Sequence, residues 1–121
     1  MSIKIIKCKW LVPPGMDAFT VGTIIFYRNN ISPDLIEHEK THVNQFKKQP
    51  FTFWLKYLFS RKHRCIFEAE AYAAQIKYIS KYRAETRQDL IKSFATVLHD
   101  RYYLSYSMEY IVDILRRECL K

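Results

Sequence analysis

Ser32-Pro33-Asp34-Leu35-Ile36-Glu37-His38-Glu39-Lys40-Thr41-His42-Val43-Asn44-Gln45-Phe46-Lys47-Lys48 decides the fold of this chain, because a helix start, a helix body and a possible metal grip follow one another without a break. Ser32 stands at a capping position, Pro33 suits the first helical position, and Asp34 favours the positive helix end. No Gly or Pro interrupts residues 35–48, and Pro50 closes the stretch. Leu35, Ile36, Val43 and Phe46 recur at spacings of three and four, so one side of the helix faces a core. His38 and His42, four residues apart, share the face of Leu35 and Phe46 and can hold one ion between them. Glu39 is rotated about 100° from His38, which places a carboxylate beside that ion rather than on it.

Two histidines are too few for a catalytic zinc, which takes three protein ligands and keeps one position open. The dense acidic cluster downstream is Phe67-Glu68-Ala69-Glu70-Ala71-Tyr72, near the start of a second helical stretch over residues 65–83. Glu68 and Tyr72 are one turn apart and share a face, whereas Glu70 points elsewhere. Glu70 remains the competing ligand, since helix phase is read here from spacing alone.

With these residues the chain resembles the gluzincins, the thermolysin-like branch of the zincin metallopeptidases, whose third ligand is a glutamate in a later E-x-x-A-D pattern. The resemblance covers His38 to Tyr72, and in outline the chain is similar to compact zincin-like proteins of bacteria and phages. It implies zinc held by His38, His42 and Glu68, Glu39 as the general base of peptide-bond hydrolysis, and a peptide or protein as substrate. It makes Ala71 the small residue where the two helices cross. Tyr72 stands where the family has aspartate; a phenol accepts a histidine N–H more weakly than a carboxylate does. A tyrosine or histidine from the C-terminal region stabilises the oxyanion in such enzymes, and Tyr102, Tyr103 and Tyr106 are the candidates, Tyr103 foremost. The segment over residues 22–27 has the position of the strand along which zincins lay their substrate.

Around the motif the order is β then α. Residues 3–10 alternate Lys with apolar residues as a half-buried strand does, and Pro13-Pro14-Gly15 breaks them off. Residues 19–27, rich in Val, Ile, Thr, Phe and Tyr, read as a second strand pairing antiparallel with the first. Residues 51–59 are apolar on nearly every side and read as a short buried helix between the two ligand-bearing helices; a membrane-surface segment is the sharper alternative. Residues 86–117 form the final helical region, bent or broken near 100–107, with Phe94, Val97, Leu98, Tyr110, Ile111, Ile114 and Leu115 facing inward. The expected class is therefore α+β: a short β-hairpin or small antiparallel sheet followed by a helical zincin-like core, one domain over residues 1–121.

Composition narrows the rest. With 49% hydrophobic and 16% aromatic residues, 121 residues can bury a real core. No apolar run approaches the ~20 residues of a membrane span, and the first residues lack a signal-peptide pattern. Cys8, Cys65 and Cys119, odd in number and widely spaced, read as reduced thiols of a cytoplasmic protein. His63, in the basic run Arg61-Lys62-His63-Arg64, belongs to a solvated loop, and His99 has no spacing that ties it to the motif. A formal net charge of +8 favours an acidic partner or substrate. It also raises a basic nucleic-acid-binding module as a rival, but the basic residues are scattered and form no binding motif. The nearer rival is an inactive zincin-like structural or interaction protein, which would have no use for Glu39.

Overall fold

The computed structural model describes residues 3–82, 86–101 and 106–121, without the side chains of Tyr82 and Arg101. Its elements are α+β in the expected order: a three-stranded sheet, then five helices. The sheet differs from the expected pair of strands. Residues 19–27 are not one strand but two, β2 (Ala18–Val21) and β3 (Ile24–Tyr27), antiparallel with Val21 opposite Ile24 and Ala18 opposite Tyr27. Gly22, at φ +62°, supplies the left-handed residue that a two-residue reversal requires. β1 (Lys4–Lys7) then pairs parallel with β3, not antiparallel, Lys4 opposite Ile24 and Lys7 opposite Tyr27. The order β1-β3-β2 leaves β3 paired on both sides and β2 as the edge strand next to the motif helix. All four residues of β1 are exposed, Ile5 and Ile6 included, so the expected half-buried strand is an uncovered edge.

After β1 the chain makes a single 3-10 turn, Lys9–Leu11, and a loop that Arg28 ties down. The guanidinium donates to the carbonyls of Val12 (2.6 Å), Pro13 (3.1 Å) and Met16 (3.3 Å). These bonds hold Met16 and Asp17 where β2 begins.

Helix α1 (Pro33–Lys48) starts and stops where its sequence says it should. Ser32 is the N-cap residue, yet its hydroxyl makes no capping bond; its carbonyl takes the first helical N–H, that of Ile36, at 3.0 Å. Helix α2 (Phe53–Phe59) is covered on one side only: Phe53 is buried, while Leu55, Leu58 and Phe59 are exposed. A helix apolar all round was expected to be buried all round, but these residues have neighbours on one face alone.

Arg61-Lys62-His63-Arg64 is not a loop; it is the first turn of α3 (Arg61–Tyr82). Ser60 caps that turn, its hydroxyl accepting the His63 N–H at 3.3 Å and lying 2.8 Å from His63 Nδ1. Helices α4 (Arg87–Arg101) and α5 (Met108–Cys119) follow. Thr86 caps α4 by accepting the Asp89 N–H, and Ser107 caps α5 by accepting that of Tyr110.

Helix α3 is the shared wall of the molecule. One side joins α4 and α5 around Ala73, Ile76, Ile79, Leu98, Ile111 and Leu115, an apolar core without a charge in it. The other side crosses α1, where Ala71, fully buried on the face of Glu68 and Gln75, lets the helices approach; Ala69 belongs to the apolar side. Of the expected inward stripe on α4 and α5, Leu98, Ile111, Ile114 and Leu115 are buried, and Phe94 and Val97 are partly so. Tyr110 is exposed and stacks on Tyr106 at 4.7 Å between ring centroids.

Candidate metal centre

The α1–α3 crossing brings His38, His42 and Glu68 together. One ligating atom from each can be chosen so that all three lie within 4.8 Å of one another, in a setting where all three residues are sealed from solvent or nearly so. His42 Nε2 is 2.8 Å from Glu68 Oε1, and His38 Nε2 is 3.4 Å from Oε2. Glu70, the competing carboxylate, is turned to the side of the crossing, where Oε2 accepts from Gln45 Nε2 at 3.0 Å.

Behind each imidazole stands a glutamine. His38 Nδ1 meets Gln75 Oε1 at 3.1 Å, and Gln75 Nε2 donates to Asp34 Oδ2 at 2.8 Å. His42 Nδ1 meets Gln45 Oε1 at 2.9 Å, and Gln45 Nε2 donates to the Phe67 carbonyl at 2.9 Å as well as to Glu70. Carboxylates and carbonyls only accept, so each glutamine must turn its NH2 to them and its oxygen to the ring. Each Nδ1 must then carry a hydrogen, which leaves the lone pair of a neutral imidazole on Nε2, facing Glu68. The role that the sequence reading assigned to Tyr72 falls to Gln75, one turn further along the same face of α3; Tyr72 packs its ring edge-on against His38 at 4.4 Å.

Electrostatics sharpen the picture. Burial alone would lower the His42 pKa, but the charge of Glu68 and the hydrogen bond to it win and push it up to about 9. Burial would raise Glu68, and the same histidine pair holds it well below the usual carboxylate range instead. Burial, together with the negative charge of Glu68, pushes the Tyr57 phenol upward, so it stays a donor, giving its hydrogen to Glu68 Oε1 at 3.0 Å. Within the triad, Glu68 Oε2 has no hydrogen bond although it is sealed from solvent. A buried carboxylate oxygen without a hydrogen bond, beside two imidazole Nε2 atoms that each offer a lone pair once deprotonated, is a donor set that fits a cation.

Glu39 is buried in the same cleft but is not one of the grouped ligands; Thr20, on β2, donates to its Oε2 at 2.5 Å. The cleft is otherwise apolar, lined by Phe19, Phe46, Phe53 and Trp54, with Tyr57 at the triad. The edge that borders it is β2, which contributes Phe19 and Thr20; the segment 22–27 expected there is a turn followed by the central strand β3, which has no free edge.

Tyr102 and Tyr103 lie outside the described residues. Tyr106 packs among α3, α4 and α5, away from the cleft. His63 sits in the first turn of α3 against the capping hydroxyl of Ser60, and His99 pairs with its neighbour Asp100 at 2.9 Å. The sequence reading passed over Thr20, Gln45, Tyr57 and Gln75, and read Asp34 only as a helix-start residue. Spacing signals existed for the glutamines, Gln45 three residues after His42 and Gln75 seven after Glu68; none existed for Thr20 and Tyr57, which arrive from other elements. Comparison with protein-family models, with curated proteins and with solved structures finds no match for this chain.

Proposed function

We propose that the chain is a gluzincin-like zinc metallopeptidase, hydrolysing peptide bonds at the α1–α3 crossing. The observation that carries this reading is Glu39: a second buried carboxylate, held by Thr20 within the cleft yet not part of the ligand group, which a purely structural metal site would not need. His38, His42 and Glu68 would hold the ion through Nε2, Nε2 and a carboxylate oxygen. Zinc there would act as a Lewis acid on the scissile carbonyl and lower the pKa of water toward about 7.

The chain's own residues supply the proton handling. Thr20 occupies Glu39 Oε2, which leaves Oε1 to take a proton from the attacking water and return it to the leaving nitrogen as the C–N bond breaks. Tyr57 and the two glutamines keep the ligand atoms aimed. An extended substrate peptide would add to the free side of β2, with Phe19, Phe46 and Trp54 receiving a large apolar side chain. The net charge of +8 favours acidic residues elsewhere in that peptide.

Glu39→Gln tests the reading. The amide keeps shape and can still accept from Thr20, but it cannot take up the proton. Zinc content and fold should be unchanged, while cleavage of a peptide library by the zinc-loaded chain should fall by about two to four orders of magnitude. Cleavage at the parent rate in Glu39→Gln would rule out this mechanism. If the zinc-loaded parent cuts nothing, the site is a structural staple in an interaction protein.

A further inference from the structure

We propose that the outer face of α2 is a docking surface for an anionic lipid bilayer. Phe51, in the turn that leads into α2, is 92% exposed, and on the helix Leu55 (60%), Leu58 (55%) and Phe59 (81%) follow on one side. The opposite side of the same helix is occupied: Phe53 is buried and Trp54 and Tyr57 line the cleft. Four large apolar side chains held together in water on one short helix mark a surface with a partner.

Charge says which partner. Between Glu39 and Glu68 the chain carries seven Lys or Arg and no acidic residue. Lys48 stands just before the apolar stripe, and Arg61 and Lys62 just after it, all three exposed. An apolar stripe bracketed by cations is the pattern of a helix that lies in the plane of a membrane surface, its side chains among the acyl chains and its lysines among anionic headgroups. Seven helical residues are about 10 Å long, far short of a span, and among the described residues no helix is long and apolar enough to cross a membrane. A second copy fits less well, because an antiparallel two-fold pairing of the stripe would set Lys48 of one chain against Arg61 and Lys62 of the other. A nucleic acid would use the cations and leave the phenylalanines without a role. Docked in this way, α2 holds the cleft of the metal centre at the membrane surface. The proposal does not depend on zinc or on hydrolysis.

Flotation of the full chain with vesicles tests it, using phosphatidylcholine alone or with about a third phosphatidylglycerol. The parent should float with the anionic vesicles and not with the neutral ones. Phe51→Ser/Phe59→Ser should lower the bound fraction by about tenfold or more, and so should Lys48→Glu/Lys62→Glu. All four positions are exposed, so melting temperatures should stay near the parent's. Failure of the parent to float, or flotation unaffected in either double variant, would overturn the proposal. So would a dimeric parent made monomeric by Phe51→Ser/Phe59→Ser, which assigns the stripe to a second copy, or loss of duplex-DNA binding in place of vesicle binding.

Discussion

Gln75 and Ile76 are neighbours in sequence and belong to different worlds. Gln75 faces α1, where it is bonded to His38 and, through its NH2, to Asp34; Ile76, fully buried, faces α4 and α5 in an apolar cluster. Both sides of α3 are packed and largely buried, yet one is held by burial of apolar surface and the other by polar groups that satisfy one another almost completely. The apolar side needs only shape and volume. The polar side depends on every partner, because a buried donor or acceptor left alone costs about 1–3 kcal/mol. Within the group of His38, His42 and Glu68 the gap is Glu68 Oε2, and it lies where an ion would sit.

The contrast breaks most visibly through Ile76→Ala. Removing a fully buried isoleucine should cost about 2–5 kcal/mol in chemical denaturation, with and without metal alike, and should leave zinc affinity unchanged. An equal loss of zinc affinity would show that the two faces of α3 are not independent.

Next comes pH, which should act on the polar side alone. In the metal-free protein the His42 pKa is raised from 6.5 to about 9, so the His42–Glu68 interaction stabilises fully below 6.5 and is lost as pH rises through 9. Glu68 is depressed, so its share is present above its ordinary 4.5 and lost on acidification. The two shifts describe one pair and are counted once. Metal-free stability should therefore fall by about 3 kcal/mol between pH 6.5 and 9. Zinc must displace the His42 proton, so its affinity should rise with pH over the same range. A metal-free melting temperature that is flat from pH 6.5 to 9 would contradict the pairing.

A smaller effect is expected from Gln75→Leu, which removes the group that orients His38: zinc affinity should drop about 10–100-fold, measured by competition with a chelator. Smallest is the comparison of caps. Ser107→Ala should cost about 1 kcal/mol, because that hydroxyl accepts from Tyr110, whereas Ser32→Ala should cost next to nothing, since its hydroxyl makes no such bond.

What could be read from residues alone follows the same division. Helical spacing is a local property, so the shared face of His38 and His42 and the preference for Glu68 over Glu70 were visible in the order of residues, while Glu70 stayed open as the competitor. The glutamines obeyed the same spacing, but a glutamine carries no chemical signature that singles it out from a solvated one. Strand pairing is not local: four-residue strands have no direction until they meet, and only Gly22 hinted that residues 19–27 would fold back. Thr20 and Tyr57 reach the site by tertiary packing. The exposure of α2 was hidden for a related reason, since apolar residues on every side say nothing about how many sides the rest of the chain can cover. Tyr103, expected as the oxyanion donor, lies outside the described residues, and Tyr57 is the phenol found at the triad.

Zinc content bears most directly on the candidate metal centre. The purified chain, zinc-loaded and freed of excess metal by gel filtration, should carry about one zinc per chain by elemental analysis, as expected for a site with three protein ligands. Glu70→Ala should carry the same, and Glu68→Ala almost none. A parent chain without zinc, or a Glu68→Ala chain that keeps its full complement, would contradict the assignment of His38, His42 and Glu68 as the metal centre.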